Sequence, residues 1–242
     1  MQGVWRELAG LVLPVDCAGC GRPRTELCAQ CRRALSRDGR GARRVRPQPG
    51  PVGLPRVWAG APYADEVRAV LLAHKERGAL RLARPLGAAL AGAVRRVQTG
   101  GGAVGERRGG GPLVLVPVPS ARRSVAGRGH DPVRRIALAA AADLRRSGAG
   151  ARVLAALRQG RAVADQAGLS APQRLTNVAG ALEARGAGGR LLAGASVVLV
   201  DDLVTTGATL AEAARAIAAA GGRVAGAAVV AASPRAFERN RN

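Results

Sequence analysis

The chain has 242 residues, of which 48% are hydrophobic and 2% aromatic. This composition excludes a wholly disordered protein and predicts a core of alanine, valine and leucine. The formal net charge is +22, and only one of the 38 basic residues is a lysine. Such a charge fits either a solvated arginine surface or an attraction for nucleic acid or a phosphate-rich small ligand. The scarcity of aromatic side chains disfavours a surface that stacks single-stranded bases.

The N-terminal residues contain a short apolar run that follows Arg6 and Glu7 and is broken at Pro14. The run is shorter than the ~20 apolar residues of a transmembrane helix, and its match to a signal-peptide cleavage pattern is poor. We therefore predict an amphipathic helix and a cytoplasmic protein, in which thiols stay reduced.

All four cysteines lie within residues 1–35, in the pattern C-x2-C-x7-C-x2-C formed by Cys17, Cys20, Cys28 and Cys31. Two such pairs together can provide tetrahedral all-thiolate coordination of Zn²⁺. Two disulfides or a redox pair are the alternatives, disfavoured by a cytosolic setting and by the lack of a thioredoxin-like context. A block this small cannot bury a core of its own, so we expect a structural metal to supply its folding energy.

Residues 36–56 are rich in Arg, Pro and Gly, and we interpret them as a linker or a basic surface loop between the cysteine block and a domain at 57–242. We predict strands at 57–63, 113–118, 197–200 and 224–231, and helices at 64–75, 80–97, from Asp131 onward and at 208–220. Alternating strands and helices predict an α/β fold, with a parallel sheet flanked by helices.

The stretch VVLVDDLVTTGATL, residues 197–210, carries the most informative chemistry. Ligands of open parallel sheets bind beyond the carboxyl ends of the strands, where this loop leads into a helix. The helix N-terminus suits a phosphate dianion, a glycine allows close approach, and hydroxyl groups donate further hydrogen bonds. The candidate phosphate-binding residues are Thr205, Thr206, Gly207, Ala208 and Thr209.

The adjacent carboxylates of Asp201 and Asp202 are poor partners for phosphate and good partners for the vicinal hydroxyls of a ribose. The residues alone therefore predict a sugar-phosphate site. One alternative is a strand-to-helix turn that uses an aspartate as N-cap. Another is a site for magnesium alone, which leaves the threonines unexplained.

This stretch resembles the signature with which type I phosphoribosyltransferases bind phosphoribosyl pyrophosphate (PRPP). Further segments resemble the ComF family of that fold, in family order: CAGC…CAQC, LLAHKERGALRLARPLG, VPVPSARRSVAGRGHDPVRRIA and DQAGLSAPQRLTNVAGAL. The resemblance implies that a nitrogen nucleophile displaces pyrophosphate from C1 of PRPP. It also implies that Asp201 and Asp202 act at the ribose hydroxyls, that the Thr-Gly loop holds the 5-phosphate, and that Mg²⁺ is held mainly through the substrate.

The leaving pyrophosphate requires cations, and the resemblance places Arg122 and Arg123 after strand 113–118, with help from Arg128. The alternative is that these are ordinary surface arginines of an arginine-rich chain. Residues 158–177 resemble a mobile region of the family, from which four residues would approach the substrate on closure: Arg161, Asp165, Gln166 and Asn177.

The chain departs from relatives at two places. Some purine-specific relatives have an acidic general base where this chain has Thr205, so purine salvage is not supported. Many ComF relatives read Gly-Phe-Asn-Gln where this chain reads GHDP, which makes His130 a loop residue rather than a catalyst. We interpret His74 as a partner of a helix C-terminus.

The leading hypothesis is a PRPP-dependent transferase with an unidentified acceptor. The alternatives are a non-catalytic PRPP or nucleotide sensor, or a DNA-uptake (competence) protein that contacts nucleic acid, and a scaffold whose zinc module docks a partner. No base-stacking aromatic follows the last predicted strand except Phe237, which lies in a polar tail.

Overall fold

The computed structural model describes residues 16–36, 39, 41–100, 112–120, 122–164, 168–193 and 195–238. Within this described part of the chain, no helix is both long and apolar enough to cross a membrane. The amphipathic helix expected before Pro14 lies outside the described residues.

The chain builds one mostly parallel sheet and a separate hairpin. The strands are β1 (Arg43–Val45), β2 (Val57–Pro62), β3 (Leu113–Pro117), β4 (Ala151–Val153), β5 (Leu157–Gln159), β6 (Leu182–Ala184), β7 (Ser196–Val204) and β8 (Arg223–Ala232). The sheet order is β1-β2-β8-β7-β3-β4, with β1 antiparallel to β2 and the other neighbours parallel. Strands β5 and β6 pair antiparallel as the hairpin.

Helices cover both faces of the sheet. They are α1 (Ala29–Ala34), α2 (Asp65–Glu76), α3 (Ala83–Gly100), α4 (Arg122–Arg128), α5 (Pro132–Arg146), α6 (Ala171–Val178), α7 (Gly186–Arg190), α8 (Ala208–Ala219) and α9 (Pro234–Glu238), with a 3₁₀ turn at Leu80–Leu82. Helices α2, α3 and α5 bury their apolar sides in one core, and α8 and α9 bury theirs in another. The predicted α/β class, a mostly parallel sheet flanked by helices, is confirmed.

Strand β7 is longer than the sequence predicted. Its apolar part was expected to end before Asp201, but β7 continues through both aspartates, because β8 pairs with it as far as Val204. Pairing with β3 stops earlier, at Val200. The aspartates therefore lie in a stretch of β7 that has a strand on one side only.

The predicted start of α5 is confirmed in detail. Asp131 is the N-cap, and its carboxylate accepts a 3.0 Å hydrogen bond from the amide of Arg134. Pro132 occupies the first turn, where a missing N–H costs nothing.

The segment interpreted as a linker contains ordered structure. Strand β1 extends the sheet from within residues 36–56, and the amide of Arg46 donates to the carbonyl of Ala236 at 3.3 Å. The cysteine block is also joined to the rest, since Cys17, Cys28 and Leu35 are buried in the same apolar cluster as α2 and α3.

The connections after β3 and β7 diverge. Strand β3 leads through α5 to β4, its neighbour on one side, and β7 leads through α8 to β8, on the other side. Helices α5 and α8 also lie on opposite faces of the sheet. Such a reversal opens a crevice at the carboxyl ends of the two strands, where α/β proteins bind ligands.

The contact between α3 and α5 depends on a glycine. A Cβ atom at Gly87 would lie 2.5 Å from the Ala139 Cβ and 2.8 Å from the Ala140 backbone nitrogen. A side chain here would therefore push the two helices apart, since backbone atoms cannot rotate away.

We expect Gly87→Ala to lower the free energy of unfolding by about 1–3 kcal/mol through overpacking, measured by urea denaturation. The matched control is Gly92→Ala in the same helix, where no atom lies within 4 Å of the added Cβ. The control should gain up to about 1 kcal/mol from helix propensity alone. Equal gains in both variants would show that the two helices do not approach closely at Gly87.

Candidate functional site

The turn between β7 and α8 is shaped by Gly207. Its φ of +82° lies in the left-handed region, which glycine adopts without steric cost, and it forms the N-cap of α8. A Cβ atom at Gly207 would lie 2.8 Å from Cδ1 of Leu54, which reaches over the turn from the β1–β2 connection. The backbone conformation favours glycine, and a larger residue would in addition have to displace the Leu54 side chain.

The amides of this turn face no acceptor within the described part of the protein. Thr205, Thr206 and Gly207 donate no backbone hydrogen bond there, and the amide of Ala208 has only the Thr206 hydroxyl, at 3.4 Å. Such unsatisfied amides at a helix start, together with the helix dipole, form a natural anion-binding site.

The two aspartates differ in their surroundings. Asp202 is buried, at 6% exposure, and its Oδ2 lies 3.1 Å from Nζ of Lys75, at the end of α2. Asp201 is half-buried, and its Oδ1 accepts a 2.8 Å hydrogen bond from the Asp202 amide. The site therefore contains two carboxylates and one ammonium group rather than a carboxylate pair alone.

Burial raises the pKa of the Asp201 carboxyl well above its ordinary value, and the nearby Asp202 raises it further. Lys75 and the Asp202 amide lower this pKa, but by less. The charge of Asp202 in turn raises the pKa of Lys75. Asp201 therefore favours a proton unless hydrogen-bond donors or a cation approach it.

Lys75 was noted in the sequence as the only lysine among 38 basic residues, but it was not predicted at this site. A single lysine in a chain so rich in arginine suggests that a compact ammonium group is required at that position.

The loop after β3 is shorter than expected. Arg122 and Arg123 were predicted in a loop, but their backbone forms the first turn of α4; their side chains lie outside the description. Arg128 lies at the end of α4, where its Nη1 is 3.0 Å from Glu76 Oε1 and donates to the Lys75 carbonyl at 3.4 Å. Arg128 thus connects α4 to the helix end that carries Lys75.

Helix α6 lies beside the Thr-Gly turn that connects β7 to α8. Arg174 donates from Nη1 to the Thr205 hydroxyl at 3.1 Å, a contact that the sequence did not predict. Arg161 donates to the carbonyls of Asn177 and Ala179, and the Asn177 amide group pairs with the backbone of Ala164. These contacts fasten the segment beside β5 to the end of α6.

The resemblance placed Arg161 and Asn177 near the substrate. In the structure both side chains form the hydrogen bonds just described. Asp165 and Gln166 lie outside the described residues. A substrate contact by any of the four stays a prediction.

His74 lies in the last turn of α2, at the helix end where it was predicted. Its side chain is fully buried, and burial lowers its pKa. Its ring nitrogens lie 3.3 Å from the Ala79 carbonyl oxygen and 3.5 Å from that of Pro132. The rings of His74 and His130 are 6.0 Å apart, and His130 Nδ1 lies 3.0 Å from the Arg128 carbonyl oxygen, within the loop where it was expected.

The four cysteines predicted as metal ligands come together. The sulfur atoms of Cys17, Cys20, Cys28 and Cys31 all lie within 4.8 Å of one another, and the Cys20–Cys28 sulfur distance is 3.7 Å. Thiolates at the Zn–S distance and tetrahedral angles lie about 3.8 Å apart, so the cluster fits Zn²⁺.

The thiols of this cluster influence one another. Burial raises the pKa of Cys17, but hydrogen bonds from the backbone of Cys28, Cys20 and Gly19 outweigh it and lower the pKa to about 6. Burial raises the pKa of Cys31, and the neighbouring thiols raise it further. A divalent cation at the centre would remove this conflict, because it favours the thiolate form of every ligand.

Comparison with known proteins supports the prediction of a phosphoribosyltransferase domain around the turn that follows β7. The family model described as "Phosphoribosyl transferase domain" matches residues 151–242, from β4 to the C-terminus. The matched region includes both aspartates and the Thr-Gly turn. A search of curated proteins found no match to the chain.

We expect Asp201→Asn to raise the melting temperature by ~2–4 °C at pH 8, because it removes a carboxyl whose ionised form the surroundings disfavour and keeps an acceptor for the Asp202 amide. The pKa of Asp201 is raised in the folded state, so its contribution to stability is present at low pH and is lost as the pH rises. The gain should therefore vanish near pH ~4, where the unfolded carboxyl also becomes protonated.

Thermal melts between pH 4 and pH 8 measure this difference. The matched control is Asp143→Asn, which removes a carboxylate paired with Arg95 at 2.8 Å and Arg146 at 2.9 Å. The control should not raise the melting temperature at any pH. A gain for Asp201→Asn that does not change with pH would contradict the assigned cause.

A second prediction concerns the cysteine cluster. We expect purified protein to hold about one zinc ion per chain, and Cys20→Ser to weaken zinc retention, because three thiolates cannot complete the tetrahedron. Chelation should increase hydrogen exchange in residues 16–35 and leave β3 and β7 protected. Metal analysis and hydrogen-exchange mass spectrometry measure both effects, and a thiol titration that finds only disulfides would count against the metal.

Proposed function

We propose that this protein binds PRPP at the carboxyl end of β7 and transfers its phosphoribosyl group to an acceptor that is not yet identified. The observation that carries the proposal is the juxtaposition of two aspartates with a turn of unpaired amides at a helix start. The match of residues 151–242 to the phosphoribosyl transferase domain supports it.

In this proposal the 5-phosphate lies on the turn formed by Thr205, Thr206, Gly207, Ala208 and Thr209. The amides donate to its oxygens, and the dipole of α8 stabilises its charge. The Thr205 hydroxyl already accepts from Arg174, so its own proton is available for the phosphate. Arg174 adds a positive charge beside the same group.

The ribose hydroxyls lie against Asp201 and Asp202. The ion pair with Lys75 fixes the position of the Asp202 carboxylate, so its position is defined before the sugar arrives. Hydroxyl donors that approach Asp201 favour its ionised form, which strengthens the hydrogen bonds as the site fills. A negative charge near the sugar ring also stabilises the positive charge that develops at C1 when pyrophosphate leaves.

Mg²⁺ fits this site as an ion that arrives with the substrate. The described residues offer it few ligands apart from two aspartates, one of which is paired with Lys75. Bound on the pyrophosphate oxygens, Mg²⁺ would neutralise the leaving group. Arg122 and Arg123, at the start of α4 beside the crevice, are the proposed partners of the pyrophosphate.

We extend the proposal to the whole chain as a member of the ComF family in the cytoplasm, with a zinc module at 1–35, a basic connection at 36–56 and the transferase domain at 57–242. The four-cysteine cluster and the order of the resembling segments support this assignment.

PRPP with Mg²⁺ should raise the melting temperature by about 5–10 °C at a hundredfold excess over Kd, as expected for a ligand that binds only the folded state. The variant Asp201→Asn/Asp202→Asn should lose this shift. The control Asp143→Asn/Glu183→Gln removes two carboxylates from arginine pairs elsewhere and should keep it. An unchanged melting temperature at saturating PRPP would exclude the site.

Release of pyrophosphate separates transfer from sensing. A panel of nucleobases is tested with PRPP and Mg²⁺, and base-dependent pyrophosphate release supports an enzyme. Binding of PRPP without release for any base favours the non-catalytic alternative, a sensor or a protein of DNA uptake. Steeply salt-dependent binding of DNA would identify the latter.

A further inference from the structure

A concentration of positive charge lies in the connection between β1 and β2 and at the adjoining strand ends. Residues of this region line an open pocket of about 700 Å³, a size typical of small-molecule sites. We call it the arginine pocket; it is lined by Arg44, Val45, Arg46, Pro47, Gln48, Pro49, Gly50, Pro51, Leu54, Pro55, Arg56 and Val57. Among the described residues, this lining includes three arginines and no carboxylate.

The guanidinium group of Arg44 lies close enough to Arg46 and Arg56 for their charges to act on it. Burial lowers the pKa of Arg44, and the charges of Arg46 and Arg56 lower it further. Like charges held together favour a ligand with several anionic oxygens, and the planar guanidinium matches phosphate oxygens in pairs.

The walls of the pocket are held in place before any ligand arrives. The amide of Arg46 donates to the Ala236 carbonyl at 3.3 Å, and the Arg56 carbonyl accepts from the Ala227 amide at 2.8 Å. Nη1 of Arg56 also donates to the Gly100 carbonyl at 3.3 Å. The arginines therefore sit on backbone that is anchored to the sheet and to α3.

The prolines of the lining determine what else the pocket can recognise. They have restricted backbone conformations and no N–H groups, so they add stiff apolar surface to a lining that also presents polar groups. A ligand that suits this combination carries phosphate at one end and a flat or apolar group at the other.

We propose that the arginine pocket binds a phosphorylated ligand of mononucleotide size, at a site formed by other residues than the PRPP site. The pocket volume favours a ligand of this size over a longer nucleic-acid strand, which would need an extended groove. Leu54 lines the pocket and packs on Gly207, so the two sites are neighbours.

The test uses ADP as the probe, titrated calorimetrically into the full-length protein with saturating PRPP and Mg²⁺ to fill the first site. ADP should still bind. The variant Arg46→Gln/Arg56→Gln should weaken ADP binding at least about tenfold, as expected for the loss of charge-assisted hydrogen bonds. Its response to PRPP should be that of the wild type, and its melting temperature should fall only slightly, through loss of the Arg56–Gly100 hydrogen bond.

The matched control is Arg152→Gln/Arg190→Gln, which removes two exposed arginines away from the pocket. It should change ADP affinity by no more than about twofold, since distant surface charges are screened by salt. If the pocket variant does not fold, Arg46→Gln alone carries the test.

Several results would overturn the proposal. One is ADP binding that survives in the pocket variant, and another is equal loss in the control, which would reveal a general effect of charge. Complete displacement of ADP by PRPP would assign ADP to the first site. A single-stranded oligonucleotide that binds far more tightly than ADP, and weakens equally in both variants, would indicate a nucleic-acid surface instead.

If PRPP itself does not bind, the ADP titration is run without it, and the two variants still distinguish the pocket from the rest of the surface. Failure of the transferase proposal is therefore separable from failure of this one.

Discussion

The chain leaves β3 and β7 in opposite directions, toward β4 and toward β8, and the candidate site lies in the gap that results. Neither strand can pair with a neighbour across that gap once β3 has ended, so the last residues of β7 are open on one side. Polar side chains can occupy this edge without disrupting the apolar layers on the two faces of the sheet. The aspartates, the Thr-Gly turn and the start of α8 all depend on this arrangement.

The charge at the centre of the crevice is opposite in sign to the net charge of the molecule. The chain carries a net charge of +22, yet its carboxyl-end crevice is centred on two aspartates. Lys75 balances Asp202, and the rise in the pKa of Asp201 disfavours a second uncompensated charge. In the proposed function, the surrounding arginines attract the anionic substrate from a distance, and the aspartates distinguish a sugar phosphate from a simple anion.

Much of the fold could be predicted because strong local signals coincide with it. The apolar runs of β3 and β7 identify buried strands, and the Asp131–Pro132 pair marks a helix start by its own chemistry. Strands β5 and β6 were missed, since three residues are too few for a periodic pattern to emerge. Helix α6 was also missed, although the capping box at Ser170 is a local signal for a helix start.

The site was predictable where its residues are contiguous and unpredictable where they are distant in sequence. Asp201 to Thr209 form one motif, so residue types and spacing were sufficient to propose a sugar phosphate. Lys75 and Asp202 are 127 positions apart, and only the fold brings them together. The contact between Arg174 and Thr205 likewise depends on how α6 docks, which no pattern in one sequence reveals.

The contact of Leu54 with Gly207 limits which residues fit at position 54. A bulkier side chain would either press on the glycine backbone or turn toward the solvent that Leu54 already reaches. Relatives of this protein should therefore vary most readily toward smaller residues at the position of Leu54. The limited space beside the Thr-Gly turn would then restrict a residue far from it in sequence, within the stretch 36–56 that composition alone predicts to be a linker or surface loop.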